Sequence, residues 1–208
     1  MSHQDLFGGS QKWDPADWTA SDDSVRGGKS QSYLDVPLSE AGARFYGVLD
    51  IGTLGGAGFA SQRTRCNNRK WDLSSYDGIQ LDVKHSDGKR YTLILKDRLL
   101  PKNAETGREQ ATISYEYDFQ FSMSIEGVPS SECFIPWDAF RPTYRGKEIK
   151  DAPKLNTKEI RRFSVMMRSF FGDQEGSFSL TVGSISAVTT DTSRMAEAVK
   201  TTSSDIVS

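Results

Sequence analysis

The sequence predicts an all-β protein built as an antiparallel β-sandwich. Three observations carry this. Apolar and polar residues alternate at a period of two along most of the chain. No stretch of about a dozen residues shows the apolar stripe of a 3.6-residue helix. Turn-forming residues punctuate the alternating runs at short intervals. The chain has 208 residues, with 18 Gly, 7 Pro and 11% aromatics, a balance that suits strands and turns rather than disorder.

Residues 1–12 read as a flexible acidic leader, 13–188 as the sandwich domain and 189–208 as a polar tail. Before Arg26 the one basic residue is Lys12, against Asp5, Asp14, Asp17, Asp22 and Asp23. A mitochondrial presequence is rich in Arg and poor in acids, and a secretory signal has an apolar centre, so neither is expected here. Strands are predicted at 45–51 and 59–65. Ile79, Leu81 and Val83 alternate with polar neighbours, as do Tyr91, Leu93 and Leu95. Ser86-Asp87-Gly88-Lys89 lies between them, a strong hairpin signal. The segment 97–111 is a polar loop of a length that is often functional. Along 113–121, Ile113, Tyr115, Tyr117, Phe119 and Phe121 share one face, while Ser114, Glu116, Asp118 and Gln120 share the other. Further strands are predicted at 133–135, 163–168 and 178–187. In the last, the alternation slips at Gly183, which predicts a β-bulge. Residues 157–162 suit one helical turn capped by Asn156, and 193–200 suit a short helix in the tail.

Composition excludes several classes. With 26 Lys and Arg against 28 Asp and Glu the net charge is −2, so no global basic field attracts nucleic acid, and no nucleic-acid partner is expected. No run approaches the 18 apolar residues of a membrane span. Cys66 and Cys133 read as two reduced thiols. His3 and His85 stand in no ligand or nucleophile pattern, so no metal, cofactor or catalytic residue is assigned.

Three segments draw notice. The run Val25-Arg26-Gly27-Gly28-Lys29-Ser30 has the end of a phosphate loop, but Asp23 stands where that pattern needs Gly. It reads instead as a sharp turn, with Asp22 and Asp23 accepting backbone amides. The glycines at 55–58 lead into a strand in which Phe59, Ser61 and Arg63 share a face. If that face is interior, Arg63 must be paired; if it is open, Arg63 can bind a polar or anionic ligand. Residues 134–147 interleave Trp137, Phe140 and Tyr144 with Arg141, Arg145 and Lys147. They form either a binding surface or a core cap ringed by solvated cations. The candidate binding residues are Arg26, Lys29, Ser30, Arg63, Trp137 and Arg145.

The ordered segments 22–32, 55–63 (GGAGFASQR), 72–79, Asp87-Gly88-Lys89-Arg90-Tyr91, Ile135-Pro136-Trp137-Asp138-Ala139-Phe140 and Arg145-Gly146 together resemble the complex I intermediate-associated protein family. The resemblance runs from about Trp13 to Ala187. It implies a jelly-roll sandwich of the galactose-binding type. It also implies a non-enzymatic assembly factor that contacts protein partners, such as assembly intermediates of NADH:ubiquinone oxidoreductase. The acidic leader points to a cytoplasmic address, and the family to a mitochondrial one. The alternative function is a carbohydrate- or small-ligand-binding module, with Tyr91, Tyr115, Tyr117 and Trp137 as a stacking platform. An enzyme would require a deep pocket in which His85 or a carboxylate meets Arg63 or Arg168.

Overall fold

The computed structural model describes residues 2–38, 41–65, 68–123 and 131–190. Two antiparallel sheets face each other. The first contains β1 (His3–Gly8), β3 (Gln31–Asp35), β4 (Ala43–Leu49), β6 (Gly78–Ser86), β9 (Ser131–Pro136) and β13 (Gly176–Val188). Its order is β3-β4-β13-β6-β9, with β1 also pairing β13. The second contains β2 (Trp18–Ala20), β5 (Phe59–Thr64), β7 (Arg90–Lys96), β8 (Ser114–Gln120), β10 (Arg141–Tyr144), β11 (Lys147–Glu148) and β12 (Arg162–Arg168). Its order is β11-β10-β8-β7-β12-β5-β2. The all-β sandwich expected from the alternation is the fold observed. Among the described residues, no helix is long and apolar enough to cross a membrane.

Alternation builds the core. Tyr91, Leu93 and Leu95 on β7, Tyr115 and Phe119 on β8, and Phe163, Val165 and Met167 on β12 point inward. They meet Phe45, Leu81, Val83, Phe178 and Leu180 from the first sheet. Each such burial stabilises the fold by about 1.5–3 kcal/mol. The polar residues between them are thereby turned to the outer face of the second sheet, where the site lies.

Residues 1–12 are not a flexible leader. His3–Gly8 is β1, registered against Ser184–Val188 of β13. Leu6 and Phe7 are buried, and the Phe7 ring packs within 6 Å of Trp13, Trp18, Trp71 and Phe163. The acids misled because Asp5 is not solvated: it accepts from the Ser10 amide and hydroxyl and from Ser186, and pairs with His3. The strands β2, β3, β10 and β11 were also absent from the sequence expectation.

The predicted hairpin at Asp87-Gly88 is a corner between sheets. β6 pairs β13 and β9, whereas β7 pairs β12 and β8. The Asp87 carboxylate accepts from the Tyr91 hydroxyl of one sheet and the Ser179 amide of the other, both at 2.9 Å. A turn sequence specifies a reversal, while its partner strands are set by distant pairing. The bulge at Gly183 is present: Val182 faces Val83 and Ser184 faces Asp82, leaving Gly183 without a partner residue. The turn at 157–162 is a 3-10 turn over Thr157–Glu159, with Asn156 accepting from Lys158. Cys66, the helix expected at 193–200 and nearly all of the 189–208 tail lie outside the described residues.

Two adjacent carboxylates tie the sheets together. Asp22 accepts from the amide and hydroxyl of Ser32 on β3 and from the amide of Ser61 on β5. Asp23, fully buried, accepts from the amide and hydroxyl of Ser30 and from the amide of Phe59. Gly27 ends the intervening 3-10 turn at φ +83°, and a Cβ on Gly28 would run into the Asp23 carboxylate. This glycine turn therefore holds the start of β5, the edge of the site, in place.

Candidate functional site

A cleft of about 900 Å³ opens on the outer face of the seven-stranded sheet. The strands β5, β12, β7, β8 and β10 form its floor. Each contributes the residues left over when its apolar face turned inward. Because these strands are registered neighbours, charged residues of opposite sign come together (Arg141 opposite Glu116) and so do like charges (Arg162 opposite Lys96).

Two ion-pair clusters result. In the first, Arg168 donates to Glu116 at 2.7 Å and to Asp118 at 2.6 Å, and Arg141 donates to Asp118 at 2.7 Å. Hydroxyls complete it: Thr143 donates to Glu116 and Thr92 to Asp118. In the second, Glu109 enters from the long loop between β7 and β8. It accepts from Arg162 through both oxygens, at 2.7 and 3.2 Å, and pairs with Arg63 at 2.9 Å. Burial opposes ionisation of Glu109, but the hydrogen bond and charge of Arg162 and the charge of Arg63 outweigh it and hold the carboxyl below its usual range. Lys96 donates to the carbonyl and hydroxyl of Thr112. Burial, then the charge of Arg162, lower its ammonium to about 8 despite Glu109, Glu116 and Asp97 nearby. The apolar residues Ile94 and Met166 also line the cleft.

The rim is strained. Arg145, Phe170 and Phe171 are the non-glycine residues with positive φ among the described residues, at 53°, 46° and 65°, and all three line this cleft. Such conformations cost about 1–3 kcal/mol each and concentrate at functional sites. Phe170 is held by Arg90 and Arg168, whose guanidinium carbons lie 3.5 and 4.6 Å from its ring centroid. Phe171 is fully exposed at the mouth.

Of the predicted site residues, the structure brings Arg26, Arg63 and Arg145 together here. Arg63 faces the open cleft and is paired there with Glu109. Lys29, Ser30 and Trp137 do not line it. Ser30 is buried and bonded to Asp23 and to the Asp50 backbone, so its role is structural. Lys29 is exposed in the turn. Trp137 is half-buried, donating to the Tyr76 carbonyl at 2.6 Å and packing against the core. The stacking platform expected from Tyr91, Tyr115, Tyr117 and Trp137 is not formed, because Tyr91 and Tyr115 are buried and the other two pack on the core. Carboxylates do meet Arg63 and Arg168 in this cleft, while His85 does not line it. Among the described residues, no group of three or more His, Cys, Asp or Glu could hold a metal. Arg162, Glu109, Glu116, Asp118 and the two rim phenylalanines were missed as site residues, and Arg168 was named only for the enzyme alternative. The available signal was the polar face of 113–121 and the long loop.

Two solved structures that share this architecture are family 11 carbohydrate-binding modules. The family 11 carbohydrate-binding module of Clostridium thermocellum Lic26A-Cel5E has a TM-score of 0.57, with 13% identity over 91% of this chain and 95% of that one. A family 11 module from the same organism in complex with a β-1,3-1,4-mixed-linked tetrasaccharide has a TM-score of 0.54, with 13% identity over 90% and 95%. At these identities the likeness establishes the jelly-roll fold alone. In sequence, a protein of Schizosaccharomyces pombe described as "Uncharacterized protein C9E9.15" is 44% identical over 186 residues, 88% of this chain and 83% of that protein. The family described as complex I intermediate-associated protein 30 matches residues 6–182. This chain belongs to the complex I intermediate-associated protein 30 family.

Proposed function

We propose that this protein is a non-enzymatic assembly factor that presents its cleft to a protein partner while a larger complex is built. The family description directs that reading to intermediates of respiratory complex I. The observation that carries it is the rim of the cleft, which Phe171, fully exposed, lines together with Phe170 and the exposed Arg145. Exposed aromatic and Arg side chains of this kind are what anchor protein interfaces. A non-catalytic role is supported by the chemistry of the floor. Glu109, Glu116 and Asp118 are each engaged by arginine, which ties up these three carboxylates as acids or bases.

The test is deletion of the gene in its native host, followed by complementation. Complex assembly slows on deletion, wild type restores it, and the double variant Phe171→Ser, Arg145→Ser restores neither assembly nor cross-links between the cleft rim and an assembly subunit. Normal assembly in the deletion strain overturns the proposal.

A second reading, a carbohydrate-binding module, is favoured by the position of the cleft on one sheet face and by its size. It ranks lower because the expected aromatic platform is turned inward. Calorimetry with mixed-linked β-glucan oligosaccharides decides it, and heat of binding that is lost in Arg168→Gln would promote it.

A further inference from the structure

The charges of the cleft are unevenly distributed. Its described lining holds seven cations, Arg26, Arg63, Lys96, Arg141, Arg145, Arg162 and Arg168, against four acids, Glu109, Glu116, Asp118 and Glu148. Seven against four leaves an excess of three positive charges, in a chain whose total is −2. The imbalance is local. At the β8–β10 end, Arg141 and Arg168 are matched by Glu116 and Asp118. At the other end, Arg63 on β5 and Arg162 on β12 both pair with the single carboxylate of Glu109, and Lys96 on β7 lies beside them, within the field of Glu109, Glu116 and Asp97.

We propose that this three-cation end is the seat for a carboxylate of an acidic, extended peptide segment, and that Glu109 occupies it as an intramolecular competitor. The proposal rests on the protein-partner reading above and names the chemistry of that partner.

Three features support the seat. Arg162 is 6% exposed and Arg63 20%, so both guanidinium groups are largely withdrawn from water, which favours an anion strongly. The Arg63 Nε is buried and has no hydrogen-bond acceptor among the described residues, so the seat retains a donor that Glu109 does not engage. Glu109 itself is a replaceable occupant. It is carried by an irregular loop and is 32% exposed. Exchanging one carboxylate for another conserves the charge-assisted bonds.

The shape favours a peptide over a compact anion. From β5 to β10 the floor crosses five strands, about 19 Å, which an extended chain covers with roughly six residues. At the mouth, Phe171 and Leu100 offer exposed apolar contact for side chains flanking the acid.

The experiment uses the full chain and two fluorescein-labelled hexapeptides, one alternating Glu with Phe and one alternating Lys with Phe. Fluorescence anisotropy is read as salt is varied. The acidic peptide binds and the basic one does not, and affinity falls as salt rises. Arg63→Gln weakens binding about tenfold, the effect of one charge-assisted pair, and Arg63→Lys recovers part of the loss. Glu109→Gln tightens binding several-fold, whereas Glu105→Gln, the same charge change at an exposed position on the same loop, does not. Amide exchange across 97–111 accelerates when the peptide binds. Thermal midpoints of all variants exclude misfolding as the cause.

Equal effects of Glu109→Gln and Glu105→Gln overturn the seat, leaving only general attraction. Absence of acidic-peptide binding in wild type and in Glu109→Gln also overturns it, as does binding of inorganic phosphate or a mixed-linked glucan with no response to the peptide. If assembly still depends on Phe171 and Arg145 while the peptide fails, the peptide chemistry is wrong and the assembly role stands. If deletion leaves assembly intact, the assembly role falls whatever the peptide does.

Discussion

Arg168 on β12 reaches across β7 to donate to Glu116 on β8 at 2.7 Å. The pair spans three strands, and the Glu116 side chain is 8% exposed. It therefore locks the floor of the cleft as well as setting its charge. Arg168→Met leaves Glu116 and Asp118 without their shared cation and costs about 3 kcal/mol. Adding Glu116→Gln recovers part of that loss. Urea midpoints of the two single variants and the double variant give the coupling directly. Additive effects would contradict the pairing.

The glycine turn predicts a second set of outcomes. Asp23→Ala strands the Ser30 amide and hydroxyl and the Phe59 amide, at a cost of about 3 kcal/mol or more. For a chain of this size that lowers the thermal midpoint by roughly 10 °C. Gly28→Val drives a Cβ into the Asp23 carboxylate and acts in the same direction. Gly27→Val is strained by its backbone angle, with no neighbour within 4 Å of a Cβ. Unchanged midpoints in all three variants would remove the turn from the structural account.

Asp5 makes stability depend on acid. Burial raises its pKa, but hydrogen bonds from Ser10, Ser186 and His3 outweigh this and hold the carboxyl well below its usual range. A depressed folded value means stabilisation present above the unfolded value, near pH 4, and lost as pH falls below it. Asp5→Asn is therefore less stable than wild type at pH 6, and the gap closes toward pH 2. Truncating residues 1–9 removes more, because Leu6 and Phe7 leave the core with β1, a loss of about 4 kcal/mol from burial alone. Denaturant unfolding at several pH values checks both.

Lys96 gives the cleft a pH response near neutrality. Its ammonium titrates at about 8, so raising pH from 7 to 9 removes one cation from the three-cation end. The folded value lies below the unfolded one, so the burial cost weighs on stability below pH 8 and is relieved as pH climbs toward the ordinary lysine range. The groups facing the amine are Arg162 on β12, Glu109 and Asp97 in the loop segment, and Glu116 on β8. NMR titration of 13C-labelled lysine should place one ammonium near 8, absent in Lys96→Met. A value near 10 would refute the burial.

The strands that were legible in the sequence have an apolar and a polar face. β8 is the clearest, because Tyr115 and Phe119 alternate with Glu116 and Asp118. Short or edge strands carry no such contrast: β2 has three residues, β11 has two and β10 contains Pro142. The hairpin error at Asp87-Gly88 has a different origin, since local chemistry encodes a turn but not which sheet receives the next strand. The site was half legible. Arg63 stood out beside its glycines, whereas Arg162 and Arg168 look like ordinary solvated ends of an apolar strand. Their function arises only when β7 sets them against Lys96 and the acids of β8.

The placement of β13 has a consequence for how the protein is made. It pairs β4 and β1 along one side and β6 along the other, yet follows all three in the chain. While the ribosome is still adding the last third of the sequence, β1, the β3–β4 hairpin and the β6–β9 pair have no common strand to join them. The first sheet closes only after Gly176–Val188 has left the exit tunnel. Closure of this sheet is therefore dominated by long-range pairing, which is slow, and the edges of β1, β4 and β6 stay unpaired until β13 arrives.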